Sequence, residues 1–572
     1  MASSNPVARV LRVVGSGFDL LRKTLHLLVL LVLFLFVLAA LAPTTVPVPE
    51  RAALVVSPKG ALVDQLSGDP VSRAVDTLSD SPQRETLTRD LVEAIDSAAC
   101  DARIGALVLD LGGMGGAGLT KLHRVAEAVE RFKASDKPVI AYGDFFSQGQ
   151  YLLASRADEL YLHPSGGVFL QGFGRYRTFY AEAIDKLSID WNVFRVGEFK
   201  SFVEPYTRDD MSPEDRRSSQ EWLGQLWSDY LDTASTAREL DPAVLTGYAA
   251  GLDEMTAAND GDFGKLALGA GLVDGLKFRD EVQARIAEVV GVDDDQRFNR
   301  VAVADYLSEL RLREVAVPGR QQIAVIVASG QILDGEQPPG TIGGDSLAAV
   351  VRKARLDDAV KAVVLQIDSP GGSKFASEIV QRELKLVKQA GKPLIASMSS
   401  VAASGGYYIA MDADEIWARP TTITGSIGIG SYFPTFDRSL DRLGVHVDGV
   451  GTTEFAGEFR PDRPLGDGAK TILQASLEHG YREFVQAVAD ARGMAFNEVD
   501  AIARGRVWTG ADAHRLNLVD ELGGLDGAIA AAAERAGLGD DYTLRYLEKE
   551  LTLSETVALR FVTRAVRLAG LS

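Results

Sequence analysis

Residues 363–372 read Val363-Val364-Leu365-Gln366-Ile367-Asp368-Ser369-Pro370-Gly371-Gly372, an apolar run that ends in a glycine-rich turn. A related pattern occurs earlier, at Ala106-Leu107-Val108-Leu109-Asp110-Leu111-Gly112-Gly113. Each run is followed by a helical stretch, a Lys-Pro pair and a second apolar run, at Val139-Ile140-Ala141 or Leu394-Ile395-Ala396. Each copy therefore reads as strand, loop, helix and strand, which predicts an α/β fold.

The two copies continue well beyond these strands. Ala157-Asp158-Glu159 matches Ala413-Asp414-Glu415, and Gly271-Leu272-Val273-Asp274 parallels Asn517-Leu518-Val519-Asp520. The match extends over about 200 residues in each copy, far beyond the periods of solenoid repeats. A chain of 572 residues is long enough for two sizeable cores with appendages. The sequence predicts a duplicated domain, with copies at 56–315 and 316–545 and a helical tail at 546–572.

Composition excludes some partners and cofactors. The net charge is −19 and the pI is near 4.9, whereas a nucleic-acid-binding protein would carry a basic patch or stripe. The single cysteine, Cys100, cannot form an intrachain disulfide or a metal cluster. These values argue against nucleic acid as a partner and against a cysteine-bound metal cluster. We also expect no cofactor and no other metal site.

The N-terminal region carries a candidate membrane anchor. Residues Leu25–Ala42 form an 18-residue apolar run that only His26 interrupts. As a helix this run would span roughly 27 Å, close to the thickness of a bilayer core. The excess of positive charge before it predicts that residues 1–24 stay in the cytoplasm and that the rest of the chain lies outside. The charged residues in question are Arg9, Arg12, Arg22, Lys23 and Asp19.

A cleaved signal peptide is the alternative for this region, because Ala40-Leu41-Ala42 resembles a processing site. The apolar part of a signal peptide is usually about 7–15 residues long, which is shorter than the run here. A transmembrane helix at 25–42 is therefore favoured. The Pro/Val-rich segment Pro43–Pro49 then reads as an extended spacer within a linker at 43–55.

The two copies differ where a nucleophile would sit. The second copy reads Ala403-Ser404-Gly405-Gly406-Tyr407, whereas the first has Gln148 opposite Ser404. A serine at a turn into a helix is exposed at the helix N-terminus, where free N–H groups and the helix dipole favour an anionic intermediate. A serine that only caps the helix is the structural alternative. The difference between the copies favours the nucleophile.

A glycine pair offers a possible oxyanion hole. Gly371 and Gly372 follow an apolar strand and precede a stretch with helical periodicity. Glycines let backbone N–H groups approach a ligand closely and point at developing negative charge. Taken alone, the pair is explained equally by the geometry of a strand-to-helix turn.

A serine hydroxyl needs a base, and a lysine is the better candidate here. Lys200 lies among apolar residues after a predicted strand, and the second copy has Arg460 in the corresponding stretch. Arginine cannot deprotonate usefully, whereas burial can lower the pKa of a lysine from about 10.4 toward roughly 7–8. A solvated surface lysine is the alternative. The six histidines lie in segments without other signs of a site: His26, His123, His163, His446, His479 and His514.

With these residues in place, the chain resembles the long, two-domain form of the signal peptide peptidase A family, peptidase family S49, which are membrane-anchored serine proteases of bacteria. The resemblance covers nearly the whole chain. Its motifs are Lys200-Ser201-Phe202-Val203-Glu204-Pro205-Tyr206, Arg208-Asp209-Asp210-Met211-Ser212, Ser369-Pro370-Gly371-Gly372-Ser373, Ala403-Ser404-Gly405-Gly406-Tyr407, Thr424-Gly425-Ser426-Ile427-Gly428 and Val507-Trp508-Thr509-Gly510.

The resemblance implies a role for each matched residue. Ser404 is the nucleophile, Lys200 is the general base supplied by the other domain, and Ser426 orients the lysine amine. The N–H groups of Gly405 and of the Gly371-Gly372 loop hold the oxyanion. The implied fold is a pair of Clp protease/crotonase-like α/β domains, each a superhelix of ββα units, behind one transmembrane helix.

The resemblance also implies a biological setting. The family degrades residual signal peptides in the membrane, cutting them within their hydrophobic stretch, and its long form assembles as a homotetramer. The implied location is the bacterial inner membrane, with a single span and with the catalytic body on the periplasmic side. Signal peptides and other apolar peptides are the expected substrates.

One position departs from the pattern of similar proteins. Lys374 directly follows Ser373 of the glycine loop, where a smaller apolar or hydroxyl residue is usual. It is a rival base at the oxyanion loop, a cation that repels the charged form of Lys200, or a solvated lysine in the first turn of a helix; the solvated lysine is favoured. Two other functional classes remain open from the sequence. They are a crotonase-like acyl-transfer enzyme and a catalytically silent membrane scaffold.

Overall fold

The structure is a computed structural model that describes residues 15, 17, 19–32, 34, 47–76, 85–313 and 320–548. The chain divides into two compact units. The larger unit comprises Pro47–Ser67 and Arg84–Lys549, and the smaller one comprises Met1–Val46, Gly68–Gln83 and Glu550–Ser572. Two halves are distinguished within the larger unit: an N-terminal half of residues 47–67 and 85–313, and a C-terminal half of residues 320–548.

Within the smaller unit, residues 19–32 are helical and a further helix spans Pro70–Asp76. A search of the described residues finds no helix that is both long and apolar enough to cross a bilayer. Much of the predicted anchor at 25–42 lies outside the described residues, namely residue 33 and residues 35–42. The predicted tail at 546–572 lies outside them from residue 549 onward. Both predictions stay predictions.

The N-terminal half is built on a six-stranded sheet with the spatial order β8-β6-β5-β4-β1-β9. The strands of this half are β1 Ala52–Val56, β2 Ala61–Val63, β3 Glu85–Leu87, β4 Ile104–Asp110, β5 Val139–Ser147, β6 Glu159–Phe169, β7 Asp190–Val196, β8 Gly275–Leu276 and β9 Arg300–Ala302. Its helices are Thr88–Cys100, Leu119–Lys133, Gln148–Ala154, Ala181–Lys186, Ser201–Val203 (a 3₁₀ turn), Glu204–Thr207, Pro213–Ala237, Pro242–Ala250, Leu252–Ala258, Phe263–Gly269, Arg279–Val290 and Val303–Arg313.

The C-terminal half is built on an eight-stranded sheet with the order β18-β16-β14-β13-β10-β20, and β15 and β19 branch from β14. Its strands are β10 Gln322–Ser329, β11 Ile332–Leu333, β12 Ile342–Gly343, β13 Val360–Ser369, β14 Leu394–Ala403, β15 Glu415–Ala418, β16 Ile423–Gly425, β17 Ile429–Thr435, β18 Val507–Thr509, β19 Glu521–Leu522 and β20 Thr543–Leu547. Its helices are Gly344–Leu356, Lys374–Gln389, Gly405–Ala410, Asp437–Arg442, Asp467–Arg492, Phe496–Ile502, Gly510–Arg515 and Leu525–Arg535.

The two sheets share one strand order. From one edge, β9-β1-β4-β5-β6-β8 in the first half corresponds to β20-β10-β13-β14-β15-β19 in the second. The first strands that the repeat predicted, β4 and β13, hold equivalent places. This order is the structural counterpart of the sequence duplication, although the domain limits at 56–315 and 316–545 remain a prediction.

The long apolar runs form central parallel strands because both faces of these sheets are covered. In β13, Val363 and Leu365 pack in the core cluster on one side, and Val364 packs in the cluster on the other. Helix Lys374–Gln389 contributes apolar side chains to the first cluster, and helix Leu525–Arg535 contributes apolar side chains to the second. The predicted α/β fold is therefore confirmed as a mixed α/β architecture.

A two-stranded ribbon joins the halves. Strand β7 of the N-terminal half pairs antiparallel with β17 of the C-terminal half over their whole lengths, from Asp190 opposite Thr435 to Val196 opposite Ile429. The chain leaves β7 toward Lys200 and enters β17 from Ser426. Pairing of these strands therefore brings a segment of the first half against the segment that follows β16 in the second.

Candidate active site

Ser404 sits on a sharp turn between a strand and a helix. It follows the last residue of β14 and precedes helix Gly405–Ala410, and its backbone adopts φ 56° and ψ −117°. A non-glycine residue in such a conformation costs about 1–3 kcal/mol, which the surroundings must offset. The Ser404 N–H donates to the carbonyl of Gly425 at 2.8 Å and so fixes the turn. Its side chain makes no capping hydrogen bond, so the capping alternative is not what the structure contains.

Lys200 reaches Ser404 from the other half of the molecule. Its Nζ lies 3.1 Å from Ser404 Oγ, 3.0 Å from Ser426 Oγ and 2.9 Å from the carbonyl oxygen of Ser426. The structure thus brings together the three side chains that the sequence singled out. Ser426 also has a left-handed backbone, with φ 51°, and its N–H donates to the carbonyl of Arg506 at 2.7 Å.

The Lys200 amine has no carboxylate among its hydrogen-bond partners in the described part of the chain. These partners are a hydroxyl, a second hydroxyl and a carbonyl, all of them neutral. Burial lowers the pKa of Lys200 to about 8, because the charged form loses hydration that no anion replaces. A substantial fraction of neutral amine is therefore present near pH 8, as a general base requires.

Three glycines shape the path of Lys200, and of these only Gly428 belongs to a motif quoted from the sequence. A Cβ built on Gly505 would lie 2.7 Å from Lys200 Cβ, and one on Gly428 would lie 3.4 Å from Lys200 Cδ. A Cβ on Gly197 would lie 2.6 Å from the Cα of Arg504. The Phe199 N–H donates to the carbonyl of Arg504 at 3.1 Å. Segment 504–506 therefore passes so close to Lys200 that only glycine fits at position 505.

We expect Gly505→Ala to lower kcat/KM by about a hundredfold, the effect of displacing a reacting group by about 1 Å. The new methyl group would overlap the Lys200 side chain, and the residue would keep a strained φ of 79°. Gly391→Ala is the matched control, since Gly391 has φ 78° and open space around its Cβ position. Steady-state peptide hydrolysis by both variants checks this; equal activity of the two would show that contact with Lys200 is unimportant.

The glycine loop places backbone donors beside Ser404. The Gly371 N–H donates to Ser369 Oγ at 3.1 Å, so this group is already engaged. Across the described residues, the N–H groups of Gly372 and Gly405 have no acceptor. They lie close together, since a Cβ on Gly405 would be 3.2 Å from Gly372 N. Of the three predicted oxyanion donors, Gly372 and Gly405 therefore keep an unengaged N–H group, whereas Gly371 has an engaged N–H group and forms the turn with φ 96°.

Lys374 is paired with two acidic side chains. Its Nζ pairs with Glu378 and with Glu483, the latter at 3.0 Å. Burial acts to lower the pKa of Lys374, but hydrogen bonds to the two glutamates outweigh it and raise that pKa above its usual value. A lysine kept protonated by two acids is a poor base. Lys374 lies in the first helical turn, as expected, but it is half-buried and ion-paired rather than solvated.

Three of the histidines contact carboxylates outside the Lys200–Ser404 pair. His123 Nε2 lies 2.6 Å from Asp229, His446 Nδ1 lies 3.0 Å from Asp441, and His479 Nε2 lies 3.1 Å from Glu483. Among the described residues, no group of three or more histidine, cysteine, aspartate and glutamate side chains is arranged to hold a metal ion.

The arrangement can perform nucleophilic acyl transfer. A hydroxyl on a strained turn is hydrogen-bonded to an amine of lowered pKa, and two unengaged N–H groups lie beside it. This combination on an α/β scaffold defines a serine hydrolase. Residues 131–293 and 387–539 match peptidase family S49.

The chain is similar in sequence to known proteases over most of its length. It is 41% identical over 513 residues to Protease 4 of Salmonella typhi, covering 89% of this chain and 82% of that protein. It is 39% identical over 546 residues to Protease 4 of Haemophilus influenzae, covering 93% and 88%. It is 31% identical over 471 residues to the chloroplastic serine protease SPPA of Arabidopsis thaliana, covering 81% and 67%. The chain belongs to peptidase family S49 and is a serine protease, as the motifs predicted.

Proposed function

We propose that this protein is a membrane-anchored serine endopeptidase that degrades residual signal peptides with a Ser/Lys dyad. Ser404 is the nucleophile and Lys200 is the general base. The observation that carries the proposal is the 3.1 Å distance between Lys200 Nζ and Ser404 Oγ, at an amine whose pKa burial lowers to about 8.

The neighbours of Lys200 favour one arrangement of its protons. A neutral amine has two N–H bonds and one lone pair. The carbonyl of Ser426 can only accept, so it takes one N–H, and Ser426 Oγ takes the other. The lone pair then faces Ser404 Oγ and accepts its proton. In this arrangement Ser426 is the residue that aims the base.

The reaction then proceeds in two steps. Ser404 Oγ attacks the scissile carbonyl while its proton passes to Lys200, and the resulting ammonium gives that proton to the leaving amine. The oxyanion accepts hydrogen bonds from the N–H groups of Gly372 and Gly405. Water next attacks the acyl-enzyme while Lys200 takes its proton; the ester bond to Ser404 Oγ then breaks, the acid product leaves, and the Lys200 ammonium returns the proton to Ser404 Oγ. Peptide hydrolysis by this route requires no cofactor.

An apolar peptide is the proposed substrate. Large apolar side chains stay exposed on the segments around the dyad: Phe202 follows Lys200, Phe375 follows the glycine loop and Tyr432 lies on β17. Such side chains offer favourable contacts to the hydrophobic stretch of a signal peptide. We also propose that each domain is a Clp protease/crotonase-like superhelix and that the protein assembles as a homotetramer.

The proposed location is the bacterial inner membrane, with a single span at 25–42 and the catalytic body on the periplasmic side. Membrane fractionation of the full-length chain tests the anchor, followed by protease access from the periplasmic side. We expect the chain in the membrane fraction and resistant to carbonate extraction. Recovery of the full-length chain in the soluble fraction would contradict the anchor and leave the dyad untouched.

The pH dependence of kcat/KM is set by the base. Protonated Lys200 cannot accept the Ser404 proton, so activity should fall by about tenfold per pH unit below a midpoint near pH 8. The measurement is kcat/KM for a fluorogenic apolar peptide between pH 5 and pH 10, with the folded state checked at each pH by circular dichroism. A profile that is flat through pH 8 would exclude Lys200 as the base.

A further inference from the structure

A second lysine is buried near the site, and the mechanism does not use it. Lys121, on helix Leu119–Lys133 of the N-terminal half, is only 5% exposed. Its Nζ lies 2.6 Å from Asp368, 3.0 Å from Ser400 Oγ and 3.5 Å from Asp64. Asp368 and Ser400 belong to the C-terminal half, so this ammonium is shared between the halves.

Lys121 resembles Lys200 in touching a serine hydroxyl, but it differs in charge. Burial acts to lower the pKa of Lys121, and the carboxylates of Asp64 and Asp368 more than offset it, so the pKa lies above its usual value. An ammonium held by two acids cannot serve as a base. The cluster is therefore suited to hold structure in place rather than to move protons.

The cluster surrounds an irregularity in β14. Strands β13 and β14 pair in register up to Ile367 opposite Met398, and pairing resumes at Ser369 opposite Ala402. Residues 399–401 of β14 therefore lie opposite Asp368 alone. Extra residues of this kind bend a strand and re-aim the side chains that follow, and they occur often beside active sites.

Each residue of this bulge is bound by the cluster. Ser399 Oγ donates to Asp64 at 2.5 Å, and the Val401 N–H donates to Asp368 at 3.0 Å. Ser400 Oγ accepts from Lys121 and lies 2.8 Å from Thr120 Oγ1. Ser399 and Ser400 therefore serve the structure of the bulge through these contacts.

A close approach of backbones makes these contacts possible. Gly118 directly precedes helix Leu119–Lys133, and a Cβ built there would lie 2.5 Å from Ser400 Cβ. The helix N-terminus can therefore come within hydrogen-bond distance of the bulge only with glycine at position 118.

The bulge adjoins the paired ends of β14 and β16, which lead to both proposed serines. Before the bulge, β14 pairs with β15 from Ile395 to Met398. Pairing with β16 begins at Val401, the last residue of the bulge, and continues to Ala403 opposite Gly425. Ser404 and Ser426 are the residues that directly follow these two paired segments. The conformation of the bulge therefore sets where both hydroxyls lie.

We propose that Lys121, Asp64 and Asp368 form an inter-half clamp that holds the 399–401 bulge, and that Lys121 is a positioning residue for Ser404 and Ser426. The N-terminal half then supplies the base and also sets the position of the nucleophile. This inference rests on the proposed function, because it assumes that Ser404 and Ser426 act in the reaction.

Lys121→Met in the full-length, detergent-solubilised protein tests the clamp. We expect kcat to fall by about a hundredfold while KM changes little, because misplacing the nucleophile by about 1 Å affects the chemical step rather than binding. Lys137→Met is the control: Lys137 is a half-buried lysine of the same half, and its Nζ donates to the carbonyls of Ala98, Ala99 and Asp101, none of which belongs to the clamp or the site. This control should lose stability and keep kcat.

Ser400→Ala gives a milder test if Lys121→Met does not fold. It removes one hydroxyl held by the clamp, and we expect about a tenfold loss of kcat with KM unchanged. A kcat within about threefold of wild type in a folded Lys121→Met or Ser400→Ala variant would overturn the clamp, as would an equal loss in Lys137→Met. Full activity of Ser404→Ala would instead overturn the proposed function, so the two failures are distinguishable.

Discussion

Replacing Ser404 by alanine should lower kcat/KM for a fluorogenic apolar peptide by about 10⁶-fold, to the background of the uncatalysed assay. The variant keeps the base and the N–H groups of Gly372 and Gly405, but no covalent acyl-enzyme can form. Because triad and dyad members act as a unit, losing the nucleophile alone removes nearly all of their joint effect. Initial rates measured with the solubilised full-length protein check this.

Ser373→Ala is the control for this substitution. Ser373 is a neighbouring hydroxyl that caps helix Lys374–Gln389 by accepting from the Ala376 N–H, and its loss should cost stability with little effect on the rate. Near-wild-type hydrolysis by a folded Ser404→Ala protein would show that another hydroxyl attacks the peptide. The mechanism proposed here would then be wrong.

Replacing Lys200 by methionine should lower kcat/KM by about 10⁴-fold, the upper end of what general-base catalysis contributes. Methionine fills similar space but cannot accept a proton from Ser404 Oγ. Removing the Lys200 amine should also abolish the decrease in kcat/KM below pH 8, because the group that titrates there is absent from the variant. Rates measured below, at and above that pH for the wild type and the variant report both effects.

The stability of the Lys200→Met variant distinguishes a loss of catalysis from unfolding. The folded-state pKa of Lys200 is about 8, below the usual value of 10.5. Below pH 8 Lys200 is charged in both the folded and the unfolded state, so burying the charge lowers the free energy of unfolding by its full amount. This destabilisation decreases between pH 8 and pH 10.5, where the folded state loses the proton before the unfolded state does. Lys200→Met removes that cost. We expect its urea midpoint at neutral pH to equal or exceed that of the wild type, and a clear decrease would contradict the buried, unpaired amine.

Comparison of the two copies carried most of the sequence-based prediction of the site. Ser404 stands opposite Gln148, and Lys200 stands near the place that Arg460 takes in the second copy. Each half thus retains one reactive group, and the β7–β17 ribbon brings the two together. The structure shows why Gln148 differs: its side-chain oxygen accepts from the N–H groups of Gln171 and Gly172, at 3.2 and 2.9 Å.

Other features of the site could not be predicted from one sequence, because they depend on contacts between residues that are far apart in the chain. In the sequence Gly505 looks like an ordinary loop glycine. Its role is visible only in the structure, where a Cβ built on Gly505 would lie 2.7 Å from Lys200 Cβ. Lys121 lies on an amphipathic helix, where a lysine is ordinarily solvated. Only the packing of the two halves buries it against Asp368. The glycine loop was found from the sequence, but which N–H groups stay free depends on the Ser369 hydroxyl.

The most direct test of the account is covalent trapping of the full-length protein with an apolar peptide electrophile, with the modified residue mapped by mass spectrometry across pH. We expect modification at Ser404, with a rate that is half-maximal near pH 8 and a loss of modification in Lys200→Met. Modification of a different residue, or an unchanged rate at Ser404 in Lys200→Met, would contradict a nucleophile in one half activated by a base from the other.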